Sequence, residues 1–194
     1  MTQADVSGTA GRFFLVVGRS GVGKDTLLDG ARATLKEDDR FVFVRRSITR
    51  PADSGGEDHE ALTEDEFARR KEAGAFFLTW SAHGLQYGLP RSALDRLAEG
   101  KTLIANGSRA TIAEFTRVIP RSVIVEVTAP GGLIAGRLER RGREAASDIS
   151  ARLSRKVEPL PSSIEVVRVT NDSDIESGVT RLVAVLKGRG PDAD

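Results

Sequence analysis

The chain has 194 residues, 39% hydrophobic and 29% charged, which suffices for one globular domain with a sizeable core. Lysine and arginine number 29 against 28 acidic residues, so a net charge of +1 gives no reason to expect nucleic acid or an anionic membrane as partner. There are no cysteines, which excludes disulfides and thiolate metal sites. Residues 1–11 lack an apolar signal core, and no run approaches the roughly 18 apolar residues of a membrane span, so the cytoplasm is the expected location.

In chain order, the apolar run Phe13 to Val17 ends in glycines and predicts a first strand buried on both faces of a parallel sheet. Leu27, Leu28, Ala31 and Leu35 then share one face of a helix expected over 24–37, and Phe41 to Val44 reads as a second strand. Residues 45–90 form a long insert rich in Gly, charge and aromatics, read as a substrate lobe. Within it Thr63 and Glu66 fit a capping box for a helix through Ala73, and Phe76 to Trp80 and Leu85 to Tyr87 fit short strands around His83-Gly84.

Further core strands are expected at Thr102 to Ala105, Ser122 to Val127 and Val166 to Thr170, separated by helical patterns. The alternation predicts an α/β three-layer sandwich with a parallel core sheet, its core being 12–44 and 91–187. The basic stretch Arg137 to Arg143 and a helix from about Ser147 suggest an arginine-bearing lid over 137–152. Residues 1–10 and 188–194 are expected to fray. Oligomeric state has no signal in the sequence.

Gly18-Arg19-Ser20-Gly21-Val22-Gly23-Lys24 matches G-x-x-x-x-G-K between the first strand and the first helix. Glycines let the backbone N–H groups converge on phosphate oxygens, the helix N-terminus adds its dipole, and Lys24 is expected to bridge the β and γ phosphates of ATP. The next position, normally the Ser or Thr that ligates Mg²⁺, is Asp25, followed by Thr26. A carboxylate there can hold Mg²⁺ directly or through water, or it can simply cap the helix.

With this loop, Ser47-Ile48-Thr49-Arg50-Pro51 and Tyr87-Gly88-Leu89-Pro90 resemble the guanylate kinase family across most of the chain. That resemblance implies a P-loop kinase fold and acceptor-phosphate contacts at Ser47, Arg50 and Tyr87. The family's guanine-reading carboxylates fall on Thr79 and Asn106 and are missing. Instead, Gly23-Lys24-Asp25, the stretch Thr49 to Glu60 and the segment Trp80 to Pro90 closely resemble the ribose 1,5-bisphosphate phosphokinases of phosphonate degradation. This implies ATP-dependent phosphorylation of ribose 1,5-bisphosphate to 5-phosphoribosyl diphosphate.

A sugar phosphate needs cations and hydroxyl partners but no base pocket. Arg45, Arg46 and Arg50 suit its phosphates, and Glu57, Asp58, His59 and His83 are candidates for its hydroxyls. A solvated loop is the alternative for 57–60, and Phe76 and Trp80 read as core rather than as a base platform. The family pattern makes Arg137, Arg141 and Arg152 transition-state clamps, and implies that Asn171 meets the base of ATP. The rivals are a nucleoside monophosphate kinase of altered specificity and a catalytically silent binding module.

Overall fold

The computed structural model describes residues 11–54, 57–134, 164 and 166–190. Strand β1 (Phe13–Gly18) has Phe13, Leu15, Val16 and Val17 at 0% exposure. A strand with no polar side chain needs cover on both faces, and the centre of a parallel sheet supplies it. β1 lies there, with the core sheet ordered β2-β7-β1-β8-β9 and every pairing parallel. The other core strands are β2 (Phe41–Val44), β7 (Thr102–Asn106), β8 (Ser122–Thr128) and β9 (Val166–Thr170).

Pleating sorts the core into two halves. Phe14 and Val16 pack with Leu27 and Leu28 of α1 (Lys24–Thr34) and Leu182 and Val185 of α5 (Ile175–Leu186). Phe13, Leu15 and Val17 pack with Ala93 of α3 (Ala93–Ala98) and with Ile112 and Phe115 of α4 (Ile112–Val118). Phe13 meets Phe115 edge to face, with centroids 5.0 Å apart at 90°. Each such buried side chain contributes about 1.5–3 kcal/mol relative to exposure. Helices on both faces of the parallel sheet make the expected three-layer sandwich.

The chain leaves the core sheet at Val44 and enters a second sheet at Arg46. That sheet is ordered β4-β3-β6-β5, from β3 (Arg46–Ile48), β4 (His59–Ala61), β5 (Phe76–Ala82) and β6 (Leu85–Pro90). β5 and β6 form a hairpin whose two-residue turn puts His83 at φ 53° and Gly84 at φ 73°, both in the left-handed region such a turn requires. The insert shares the main core, because Phe77, Leu78 and Leu89 pack in the same cluster as Phe13 and Phe115. Helix α2 (Glu64–Glu72) covers it from outside, Phe67 stacking on Phe76 at 4.9 Å.

Three local expectations change. α1 ends at Thr34 rather than 37, since Leu35 closes it and the Asp38 carboxylate binds the backbone N–H, Nε and Nη2 of Arg40 in a competing turn. Only half of the capping box forms: Thr63 accepts from Glu66 N at 3.2 Å, but the Glu66 carboxylate goes to Arg69 and Arg70. The charged stretch at 57–60 is partly ordered, with His59 starting β4 beside Arg46. Among the described residues no helix is long and apolar enough to cross a membrane.

Candidate active site

In the core sheet the chain passes from β1 to the edge strand β2, returns to fill the gap between them with β7, and then adds β8 and β9 on the other side, so the direction of strand addition reverses at β1. Ligands of open α/β sheets sit at such a reversal, beyond the carboxyl ends of the strands. The loop after β1 lies at this point. Gly21 at φ 86° and Gly23 at φ 88° take left-handed conformations that a side chain disfavours, and Gly23 caps α1. Helix α1 therefore points its N-terminus and unpaired N–H groups at the loop.

The loop forms one wall of an open cleft of about 530 Å³. Gly18, Arg19, Ser20, Gly21, Gly23, Lys24 and Asp25 line it from the core. Arg46, Arg50, Glu57, Trp80, His83 and Tyr87 line it from the insert. Gly107, Ser108 and Arg109, just after β7, complete it, with Arg109 bonded at 3.0 Å to the buried carboxylate of Glu126.

Asn106, at the end of β7 and buried, joins the two lobes. Its Oδ1 accepts from Lys24 Nζ, while its Nδ2 donates to Asp25 Oδ1 at 3.0 Å and to Glu57 Oε2 at 2.9 Å. Lys24 Nζ also lies 3.1 Å from Asp25 Oδ1. Burial lowers the Lys24 pKa, against the opposing pull of Asp25 and with some help from Arg46. Burial works against the Asp25 carboxylate too, but Lys24, by charge and hydrogen bond, together with Arg46 and the Asn106 amide, outweighs it and holds its pKa below the ordinary value. Burial raises the Tyr87 hydroxyl.

Several expected contacts fall elsewhere. Ser47 alternates with Arg46 on β3, so it faces away from the cleft, buried, and donates to Glu60 Oε2 at 2.7 Å. Arg45 is on that outer side as well, bonded to Asp58 and to the His59 carbonyl, both at 2.9 Å. Asp58 thus lies outside the cleft, beside a smaller hollow that it shares with Asp25. His59 is buried and bonds Arg50 instead of opening to a ligand.

Val22 is a core side chain, and Thr26 is exposed on α1 outside the cleft lining. Asn171 is buried behind the loop, where its Nδ2 donates to the Val22 carbonyl at 2.7 Å, so it braces the loop rather than projecting toward a base. Phe76 is core as expected, and Trp80 packs partly buried against the core while also forming part of the cleft wall. Arg137, Arg141 and Arg152 lie outside the described residues.

Arg109 escaped the sequence reading, although its place just past a core strand at the sheet's reversal was the available signal. Among the described residues no group of three or more His, Asp or Glu side chains is placed to hold a metal by itself. The Asp25 carboxylate beside the glycine loop still suits Mg²⁺, which is usually held by one or two carboxylates plus substrate phosphates.

A glycine loop leading into a helix at the reversal of a parallel sheet defines a P-loop α/β domain of the guanylate kinase type. The crystal structure of guanylate kinase from Anaplasma phagocytophilum superposes with a TM-score of 0.67 at 19% identity, covering 93% of this chain and 86% of that one. No protein-family model matches. Ribose 1,5-bisphosphate phosphokinase PhnN of Agrobacterium fabrum is 42% identical over 89% of this chain and 94% of its own length. The Brucella melitensis protein of that name is 45% identical over 89% of each. The chain belongs to the ribose 1,5-bisphosphate phosphokinase family.

A bifunctional ribose 1,5-bisphosphokinase-thymidine phosphorylase of Azorhizobium caulinodans is 52% identical over 91% of this chain. This chain spans 26% of that protein's length, and 29% of its counterpart from Cupriavidus pinatubonensis.

Proposed function

We propose that this domain transfers the γ-phosphoryl group of ATP to the 1-phosphate of ribose 1,5-bisphosphate, giving 5-phosphoribosyl diphosphate and ADP. The observation that carries this reading is 42–45% identity over nearly the full length of relatives bearing that activity in their names. The cleft agrees with it chemically. It offers a phosphate loop on one side, and cations and hydroxyl partners on the other.

The N–H groups of the glycine loop and Lys24 would hold the ATP phosphates, and Asp25, with the phosphates themselves, would hold Mg²⁺. The metal's chemistry there is to screen phosphate charge. Arg50 would grip the acceptor phosphate: it lines the cleft from the insert, and His59 steadies its guanidinium through Nη2. Glu57 accepts from Arg46 Nε and Nη2 and from Asn106, which leaves about one of its roughly four lone-pair sites for a sugar hydroxyl. His83 and Tyr87 line the same cleft.

An acceptor phosphate oxygen attacks the γ-phosphorus, the bond to the β–γ bridging oxygen breaks, and ADP leaves with that electron pair. The attacking oxygen is already anionic, so no general base is assigned. Arg137, Arg141 and Arg152 are proposed to close on the charge that spreads over the transferring group. A nucleotide-specific kinase is less well supported, since Thr79 and Asn106 carry no carboxylate for guanine. The test is ATP consumption by the purified domain with Mg²⁺ and ribose 1,5-bisphosphate, against GMP as competing acceptor.

A further inference from the structure

Trp80 and Tyr87 are cross-strand partners on β5 and β6. Their rings lie within 6° of parallel with centroids 5.2 Å apart, and both line the cleft. Paired aromatic faces on a cleft wall are a ready platform for a nucleobase, because every base has a π-face to stack. Here the platform is already covered. The Arg46 guanidinium lies 5.0 Å from the Tyr87 centroid and 5.6 Å from that of Trp80, within range of a cation–π contact with both.

Arg46 is also fixed where it lies. Its Nε donates to Glu57 Oε2 at 3.1 Å and its Nη2 to Oε1, a two-pronged pair that orients the planar fork. Glu57 is anchored in turn by Asn106 Nδ2 at 2.9 Å. The two side chains are only 9% and 13% exposed. Opening such a pair strands a buried charge, so a weakly held base cannot displace it.

We infer that the Arg46–Glu57 pair determines acceptor specificity: it occupies the aromatic wall on which an acceptor base would stack, and so restricts the cleft to non-aromatic phosphorylated acceptors such as sugar phosphates. This rests on the reading of this side of the cleft as the acceptor site. The pair also sets the local charge. Glu57 offsets Arg46, which leaves Arg50 as the insert's other cleft-lining guanidinium for an incoming phosphate.

Two double variants separate cover from charge. Arg46→Ser with Glu57→Ser removes both partners, so no buried charge is stranded, and it bares the rings. Arg46→Met with Glu57→Gln removes the charge but keeps the rings covered. Titration calorimetry would follow AMP, GMP and ribose 5-phosphate binding with the ATP site filled by a non-hydrolysable ATP analogue. Baring the rings should tighten AMP and GMP by about tenfold or more, the scale of one base–aromatic stack. The covered variant should match the wild type for both nucleotides, and ribose 5-phosphate should show no gain in either.

Unchanged nucleotide affinity in the bared variant, with a native circular dichroism spectrum, would overturn the inference. So would an equal gain in the covered one. Should the bared variant not fold, Trp80→Leu in the otherwise native chain decides: a covered ring contributes nothing to AMP binding, and a loss of AMP affinity would contradict the proposal. Because these titrations need no turnover, failure of the wild type to phosphorylate ribose 1,5-bisphosphate would sink the proposed function separately.

Discussion

The ring of His59 holds Arg50 at two points: Nε2 lies 3.1 Å from the Arg50 carbonyl oxygen, and Nδ1 lies 3.2 Å from Arg50 Nη2. A carbonyl only accepts and a guanidinium only donates, so the tautomer with its hydrogen on Nε2 satisfies both of these Arg50 contacts. The Glu57 carbonyl also sits 3.0 Å from Nδ1, so the ring lies between Arg50 and the Glu57 backbone. His59 therefore positions Arg50 without touching substrate. His59→Leu should raise KM for the sugar bisphosphate about tenfold while leaving kcat little changed, the scale expected for losing one hydrogen bond to a charged group. His59→Asn, whose side-chain oxygen can replace Nδ1 as acceptor, should recover much of that loss. Steady-state kinetics on the two variants make the comparison.

Lys24→Ala removes the cation expected at the β and γ phosphates, and turnover should fall by about 100-fold or more. The wild-type pH profile carries a second signature of the same residue. Burial lowers the Lys24 pKa below its ordinary 10.5, so in the free enzyme the ammonium is lost at a lower pH than for a solvated lysine. The profile of kcat/KM for ATP, which reports the free enzyme, should turn down on its alkaline side below 10.5.

Asp25 stands where the motif usually has a hydroxyl, and Lys24, Arg46 and Asn106 hold its carboxyl pKa below the ordinary value despite its partial desolvation. If it holds Mg²⁺, Asp25→Asn should raise the Mg²⁺ concentration that gives half-maximal rate, because a neutral amide is a poorer ligand for a hard cation. Asp25→Ser should recover part of the shift. A role confined to the helix terminus would instead cost about 0.3–1 kcal/mol of stability with superimposable Mg²⁺ curves.

The core was legible because its signals are local and strong. The unbroken apolar run of β1 and the glycines after it can be satisfied only at the centre of a parallel sheet, and β2, β7, β8 and β9 follow the same logic. The site was legible by chemistry more than by geometry. Lys24, Asp25, Arg50, Glu57, His83 and Tyr87 all line the cleft. Ser47 and Arg45 do not, because pleating on β3 and the step from β2 into β3 decide which arginine turns inward, and charge alone cannot tell 45 from 46. His59 and Asn171 carry polar groups whose partners are 9 and 149 residues away in sequence, contacts that no local pattern encodes.

The most direct measurement follows ATP and acceptor together by ³¹P nuclear magnetic resonance, with the purified domain, Mg²⁺ and either ribose 1,5-bisphosphate or GMP. The sugar bisphosphate should yield ADP and a new diphosphate signal in equal amounts, with GMP turned over far more slowly. ATP consumption with GMP at a rate matching the sugar bisphosphate, or no diphosphate product from the sugar at all, would contradict the assignment of this cleft to a phosphorylated sugar.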